Sequence, residues 1–179
     1  MSFKKPVKYY PKRIETASNS AVKLVVPPEV TSFLRATAAQ SSGAETGGIL
    51  IGHNRESEIL IVRATDAGPN SKRSQCGFLR DTSYCQRILN EEFAKSGADY
   101  VGEWHTHVID LPRPSRGDLE TLVNIVLDPD YNFRSFAMIL AIVRGNEAEL
   151  LNYVITVNEV AGSGGRRIVK VFQTIPRPS

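Results

Sequence analysis

Tyr100-Val101-Gly102-Glu103-Trp104-His105-Thr106-His107, with Asp118 eleven residues further on, is the stretch from which the rest of the chain is read. It reads as a strand. Side chains alternate along a strand with period two, so His105 and His107 share one face and Glu103 joins them. A proline-broken loop follows from Asp110 to Pro114, and Ser115 opens a helix. A carboxylate from the start of that helix, Asp118, can close a third side. Two imidazoles and one carboxylate make a three-ligand zinc site with the fourth tetrahedral position left for water. That open position separates a catalytic zinc from a structural one.

Working outward, Val22 to Val26 is a β-branched run stopped by Pro27-Pro28 and is expected as a strand. Val30, Phe33, Leu34 and Ala38 recur at helical spacing, and Ser41-Ser42-Gly43 ends that helix. Glu45-Thr46-Gly47-Gly48 leads into the strand Ile49-Leu50-Ile51, with Ile59 to Ala64 as its hairpin partner. Asp66 to Gly77 reads as a polar loop. Cys85, Ile88, Leu89 and Phe93 form one stripe of a helix that Gly97 caps. Leu119, Leu122, Val123 and Val126 lie on one face of the helix opened by Ser115. Phe136 to Val143 is apolar on both faces, as a central strand requires. Two further strands, Leu150 to Val157 and Arg167 to Ile175, are joined through Gly162-Ser163-Gly164-Gly165. The fold class expected is α/β, a single domain with a mixed β-sheet packed between α-helices. Residues 1–20 are set apart as a basic N-terminal arm, leaving 21–179 as the domain.

The bulk numbers exclude several classes. The 179 residues suit one domain with a full core. A net charge of +3, spread along the chain, is no nucleic-acid footprint, so nucleic acid is not an expected partner. Phe136 to Val143, the longest apolar run, is far too short to span a bilayer, and no signal peptide is visible. With two cysteines, Cys76 and Cys85, and nothing pointing to export, a cytoplasmic protein is expected.

A zinc ion lowers the pKa of bound water to about 7, and hydrolysis also needs a base to carry the water's proton to the leaving amine. Two glutamates present themselves. Glu103 shares the face of the histidines, and Glu45 stands at the mouth of another strand beside glycines that let backbone come close. The run from His105 to Asp118 is His-x-His-x7-Ser-x2-Asp, with Glu45 upstream of Gly-Gly-Ile-Leu-Ile-Gly. This resembles the JAMM signature of the MPN/JAB metalloprotease family, over residues 22 to 157. The resemblance implies a cytidine-deaminase-like MPN/JAB fold. It implies one zinc held by His105, His107 and Asp118, with Glu45 as general acid/base and Ser115 helping to hold the oxyanion. The wording from Tyr100 to His107 is similar to that of small prokaryotic JAB proteins encoded with ubiquitin-like conjugation enzymes, as in bacterial CBASS antiphage operons. Where many members carry proline after the second histidine, this chain has Val108, a change that removes no ligand.

Simpler readings stand beside these. Ser115-Arg116-Gly117-Asp118 is also a capping box, and on this reading Asp118 has difficulty both reaching back to the cap and ligating zinc. Glu103 reads equally as a partner orienting a histidine or as a carboxylate in an ion pair within the cleft. Trp104 points away from the ligands into the core. Cys85 reads as a buried thiol and His53 as a surface histidine. Lys72, Arg73 and Arg80 read as a solvated loop, or as a docking patch for an acidic protein surface. The pattern of zinc deaminases, His-x-Glu with Pro-Cys-x-x-Cys, is absent.

The expected activity is therefore that of a zinc-dependent isopeptidase or peptidase. Its substrate would be a ubiquitin-like protein, or a conjugated bacterial nucleotidyltransferase, presenting an extended C-terminal tail. The conjugation enzymes of the same operon would be its partners. Two alternatives come from other classes: a catalytically silent MPN-type scaffold, and a nucleic-acid accessory protein. Intact ligands argue against the first, and the absence of clustered basic residues against the second.

Overall fold

The computed structural model describes residues 15–17, 20–41, 43–159 and 167–175. In chain order these form β1 (Glu15–Ala17), β2 (Lys23–Val25), α1 (Pro28–Ala39), β3 (Gly47–Arg55) and β4 (Glu58–Ala64). Next come β5 (Lys72–Ser74), β6 (Gly77–Leu79), α2 (Thr82–Ser96), β7 (Asp99–His107) and α3 (Arg116–Val126). The chain ends with β8 (Ser135–Arg144), β9 (Glu147–Glu159) and β10 (Arg167–Thr174). The expected Gly162–Gly165 connection lies outside the described residues, as do residues 1–14, 18 and 19 of the expected arm; residues 15–17 pair parallel with β10.

Eight strands form one mixed sheet in the order β1-β10-β9-β8-β7-β3-β4-β2. β7 and β8 are the central pair and run parallel, joined by α3 as the crossover that parallel neighbours need. β3 lies antiparallel on the other side of β7. β7, the strand that carries His105 and His107, is thus held between two neighbours.

β8 is buried on both faces, and its alternation sorts the two halves of the core. Ala137, Ile139 and Ala141 pack with Val30, Leu34 and Ala38 of α1. Phe136, Met138, Leu140 and Ile142 pack with Leu122, Val123 and Val126 of α3. α2 covers the same face as α3, through Cys85 and Ile88 against Ile49 and Ile51. One helix on one face and two on the other give the layered α/β domain the periodicities imply. Phe93, expected on the buried stripe of α2, is instead exposed; at that turn Glu92, paired with Arg63 of β4, faces the sheet in its place.

The stretch expected as a polar loop also differs. β5 and β6 form a separate two-stranded hairpin, too short and too polar to announce itself by alternation. Along β7 the pairing with β3 shifts between Leu50 and Ile51, leaving Val101 as a bulge. The bulge puts Tyr100 on the face of Glu103, three residues away, while Val101 and Trp104 both enter the α1 core.

Candidate functional site

The register of β7 decides what its histidines meet. His105 is paired with Leu140 and His107 with Ile142, so both rings lie on the face that α2 and α3 cover. Trp104 and Thr106 point the other way and are fully buried. The Trp104 indole N–H donates to the Thr65 carbonyl at 2.7 Å. Loop 108–115 then turns the chain so that the first turn of α3 faces the rings.

Ser115 caps α3. Its Oγ accepts from the Asp118 N–H at 3.2 Å, while its own N–H donates to Asp118 Oδ2 at 2.6 Å. The cap, expected to make zinc ligation difficult for Asp118, leaves its carboxylate facing both histidines. A carboxylate has two oxygens and about four lone-pair sites, and Asp118 uses them together. Its Oδ1 lies 3.3 Å from His105 Nε2 and its Oδ2 3.1 Å from His107 Nε2. The capping box is what orients the carboxylate.

His107 is nearly buried, and its Nδ1 lies 2.9 Å from the Leu111 carbonyl. A carbonyl only accepts, so Nδ1 carries the hydrogen and Nε2 is directed at Asp118. Both ring nitrogens thus face oxygen, and a neutral imidazole satisfies only one such contact. The other asks for a proton or a cation. His105 Nε2 is buried and off the line of any hydrogen bond, Asp118 included. The three side chains offer donor atoms that all lie within 4.8 Å of one another. An orphaned nitrogen, a nitrogen facing a carboxylate and the carboxylate itself fit a tetrahedral cation of the zinc kind. The backbone carbonyl that fixes the His107 ring is the partner metal-binding histidines commonly have.

The electrostatics agree. Burial raises the Asp118 carboxyl, but the close approach of the His105 and His107 rings and the bond from Ser115 outweigh it, holding it well below the usual carboxylate range. Burial lowers His107, yet its bonds to Asp118 and Leu111 keep it above the ordinary imidazole value.

Glu45 comes to the site through β3. Gly47 is registered on His105, and extending that antiparallel register by two residues brings Glu45 opposite His107. Thr46 and Thr106 tie the segment down, with Thr46 N–H to Thr106 Oγ1 at 2.9 Å and Thr106 N–H to Thr46 O at 2.8 Å. Burial raises the Glu45 carboxyl above its ordinary value, against the pull of His105 and His107 and with a push from Asp118. All five residues singled out at the sequence level, Glu45, His105, His107, Ser115 and Asp118, therefore gather at one end of β7.

Glu103 is resolved differently. It pairs with Arg80 and accepts from the Tyr100 hydroxyl at 2.7 Å, so of its two readings the ion pair is the one the structure holds. Arg80 is correspondingly no part of a solvated loop; Lys72 and Arg73 are exposed, but on strand β5 and not in a loop. Cys85 is buried, as expected, and lies 3.5 Å from Thr65 Oγ1. The Leu111 carbonyl and the Thr46–Thr106 clamp went unforeseen, because backbone acceptors and register contacts leave no mark on residue type.

A family model described as prokaryotic homologs of the JAB domain matches residues 27–156. A protein of Enterobacter hormaechei subsp. hoffmannii (strain UCI 50) called CD-NTase/cGAS isopeptidase is 37% identical over 98 residues, covering 54% of this chain and 54% of that protein. One of the same name from Escherichia coli (strain TW11681) is 34% identical over 84 residues, covering 46% of this chain and 54% of its own length. The chain thus matches about half the length of these relatives. Among solved structures, a protein from Desulfitobacterium hafniense is similar in fold, with a TM-score of 0.56 at 16% identity, covering 87% of this chain and 94% of that one.

Proposed function

The chain belongs to the family of prokaryotic homologs of the JAB domain, and from that membership we propose that it is a zinc-dependent isopeptidase. It hydrolyses the bond joining the C-terminus of a ubiquitin-like or conjugated signalling protein to its target. The observation that carries the reading is the convergence of His105 Nε2, His107 Nε2 and Asp118 on one point, with His105 Nε2 left without a hydrogen bond.

His105 and His107 through Nε2, and Asp118 through its carboxylate, would hold the ion. Zinc bound there acidifies water and polarises a carbonyl oxygen. Glu45 takes the proton of the attacking water and hands it to the departing amine. Its burial supports this role, since a carboxyl raised above its ordinary value holds a proton more readily between the two transfers. The Ser115 hydroxyl already accepts from the Asp118 N–H, which leaves its own hydrogen free to donate to the carbonyl oxygen as charge develops there.

The relatives named CD-NTase/cGAS isopeptidase support a substrate class. We assign to this chain a conjugated nucleotidyltransferase or ubiquitin-like protein, with the conjugation enzymes of one operon as partners in antiphage defence in the cytoplasm. An extended C-terminal tail entering the cleft would add as a strand beside the site; the exposed hairpin β5–β6, next to Glu45, suits that mode. Among the described residues, no helix is long and apolar enough to cross a membrane.

The test is incubation of purified protein with such a conjugate, with and without a chelator, alongside Glu45→Ala. Cleavage that the chelator stops, that zinc restores and that Glu45→Ala lacks is expected, with about one zinc bound per chain. Cleavage indifferent to both chelator and Glu45→Ala rejects the mechanism.

A further inference from the structure

The hairpin β5–β6 stands outside the main sheet yet reaches the site at two points. The Glu45 N–H donates to the Ser74 carbonyl at 2.7 Å. The Phe78 ring lies against Gly47, the residue registered on His105. Lys72, Arg73, Ser74 and Leu79 are all exposed, so burial does little to hold the hairpin in place. Its base is tied instead by polar contacts. The Asp81 N–H donates to Ala67 O at 2.7 Å, and the Asn70 side chain donates to Asp81 Oδ2 at 2.8 Å. Those bonds close the base on itself without joining it to β7.

Arg80 makes that join. It sits between β6 and α2 and turns its guanidinium inward to Glu103, two residues before His105 on the metal-bearing strand. The Tyr100 hydroxyl donates to the same carboxylate oxygen, fixing it from the other side. The Arg80 side chain is 28% exposed and that of Glu103 18%, so the pair is largely withdrawn from water. Removing one partner of such a pair leaves the other charge poorly compensated, and the segment carrying it moves to find water.

We propose that Arg80 and Glu103 form a latch that holds the β5–β6 hairpin, and through Ser74 the Glu45 segment, against the strand carrying His105 and His107. Both are positioning residues, set back from the reacting atoms. The latch sets how far Glu45 stands from the carbonyl under attack, while His107 and Asp118 keep their own supports in the Leu111 carbonyl and the Ser115 cap. The kinetic part rests on Glu45 being the base proposed above; the mechanical part does not.

The exposed thiol of Cys76, at the hairpin turn, gives a direct probe, since Cys85 is buried. A nitroxide on Cys76 of the full chain should report a restrained hairpin, and a mobile one in Arg80→Ala and in Glu103→Gln. Arg80→Lys, which keeps the positive charge opposite Glu103, should stay closer to the parent than Arg80→Ala. Zinc affinity should hold within about twofold in all three, while kcat on the conjugate falls about tenfold or more in the first two, as displacement of a catalytic group entails. An unchanged nitroxide spectrum in Arg80→Ala overturns the latch, and so does a zinc affinity that falls in step with kcat. A parent chain that cleaves nothing defeats the proposed function alone, and the nitroxide and zinc measurements still decide the latch.

Discussion

Gly47→Ala tests the join between fold and site more sharply than any ligand substitution. A Cβ at Gly47 would stand 2.2 Å from the Trp104 carbonyl oxygen, 2.5 Å from Phe78 Cζ and 2.9 Å from His105 Cα. Ordinary contact begins near 3.4 Å. The Phe78 ring can swing away, but two of the three atoms are backbone of β7 and cannot. β3 and β7 must therefore part by about 1 Å, and a misplacement of that size is worth on the order of 100-fold in rate. Overpacking of this kind costs about 1–3 kcal/mol of stability. The variant should show a lower urea midpoint, a retained fold by circular dichroism, and cleavage reduced by about two orders of magnitude at saturating zinc. Parental midpoint and turnover in Gly47→Ala would mean that β3 does not approach β7 in this register. The placement of Glu45 opposite His107 would fall with it.

Two further outcomes follow from single side chains. Burial raises the Glu45 carboxyl, so folding favours its protonated form; the stability it contributes is full below the ordinary glutamate pKa and is lost as pH rises through the raised folded value. Metal-free Glu45→Gln should therefore melt higher than metal-free parent at neutral pH, though it cleaves nothing, and the two should converge below about pH 4; a lower melting temperature at neutral pH refutes this. Trp104→Phe should cost about 2–4 kcal/mol by urea titration, because it opens a cavity in a fully buried position and leaves the Thr65 carbonyl without its indole donor. A loss of less than half a kcal/mol would contradict the burial of the indole.

The linear sequence determined the elements whose signal is local. Period-two alternation put His105 and His107 on one face and Trp104 on the other, and Ser115 with Asp118 announced the start of α3. The double apolar face of Phe136 to Val143 marked a central strand, and β8 is one. Tertiary structure alone decided which segments meet. The bulge at Val101 follows from the pairing of β3 with β7, and with it Tyr100 comes onto the face of Glu103. Glu103 itself read evenly as an orienting partner or an ion pair, because its fate depended on Arg80, 23 residues away in the chain. That the Asp118 carboxylate can serve the cap and still face both histidines was decided only by the positions of its two oxygens in space. The physical reason is one of range. Side-chain direction within a strand or a helix turn follows from backbone geometry a few residues long, whereas register and ion-pair partners follow from how the finished sheet brings distant segments into contact.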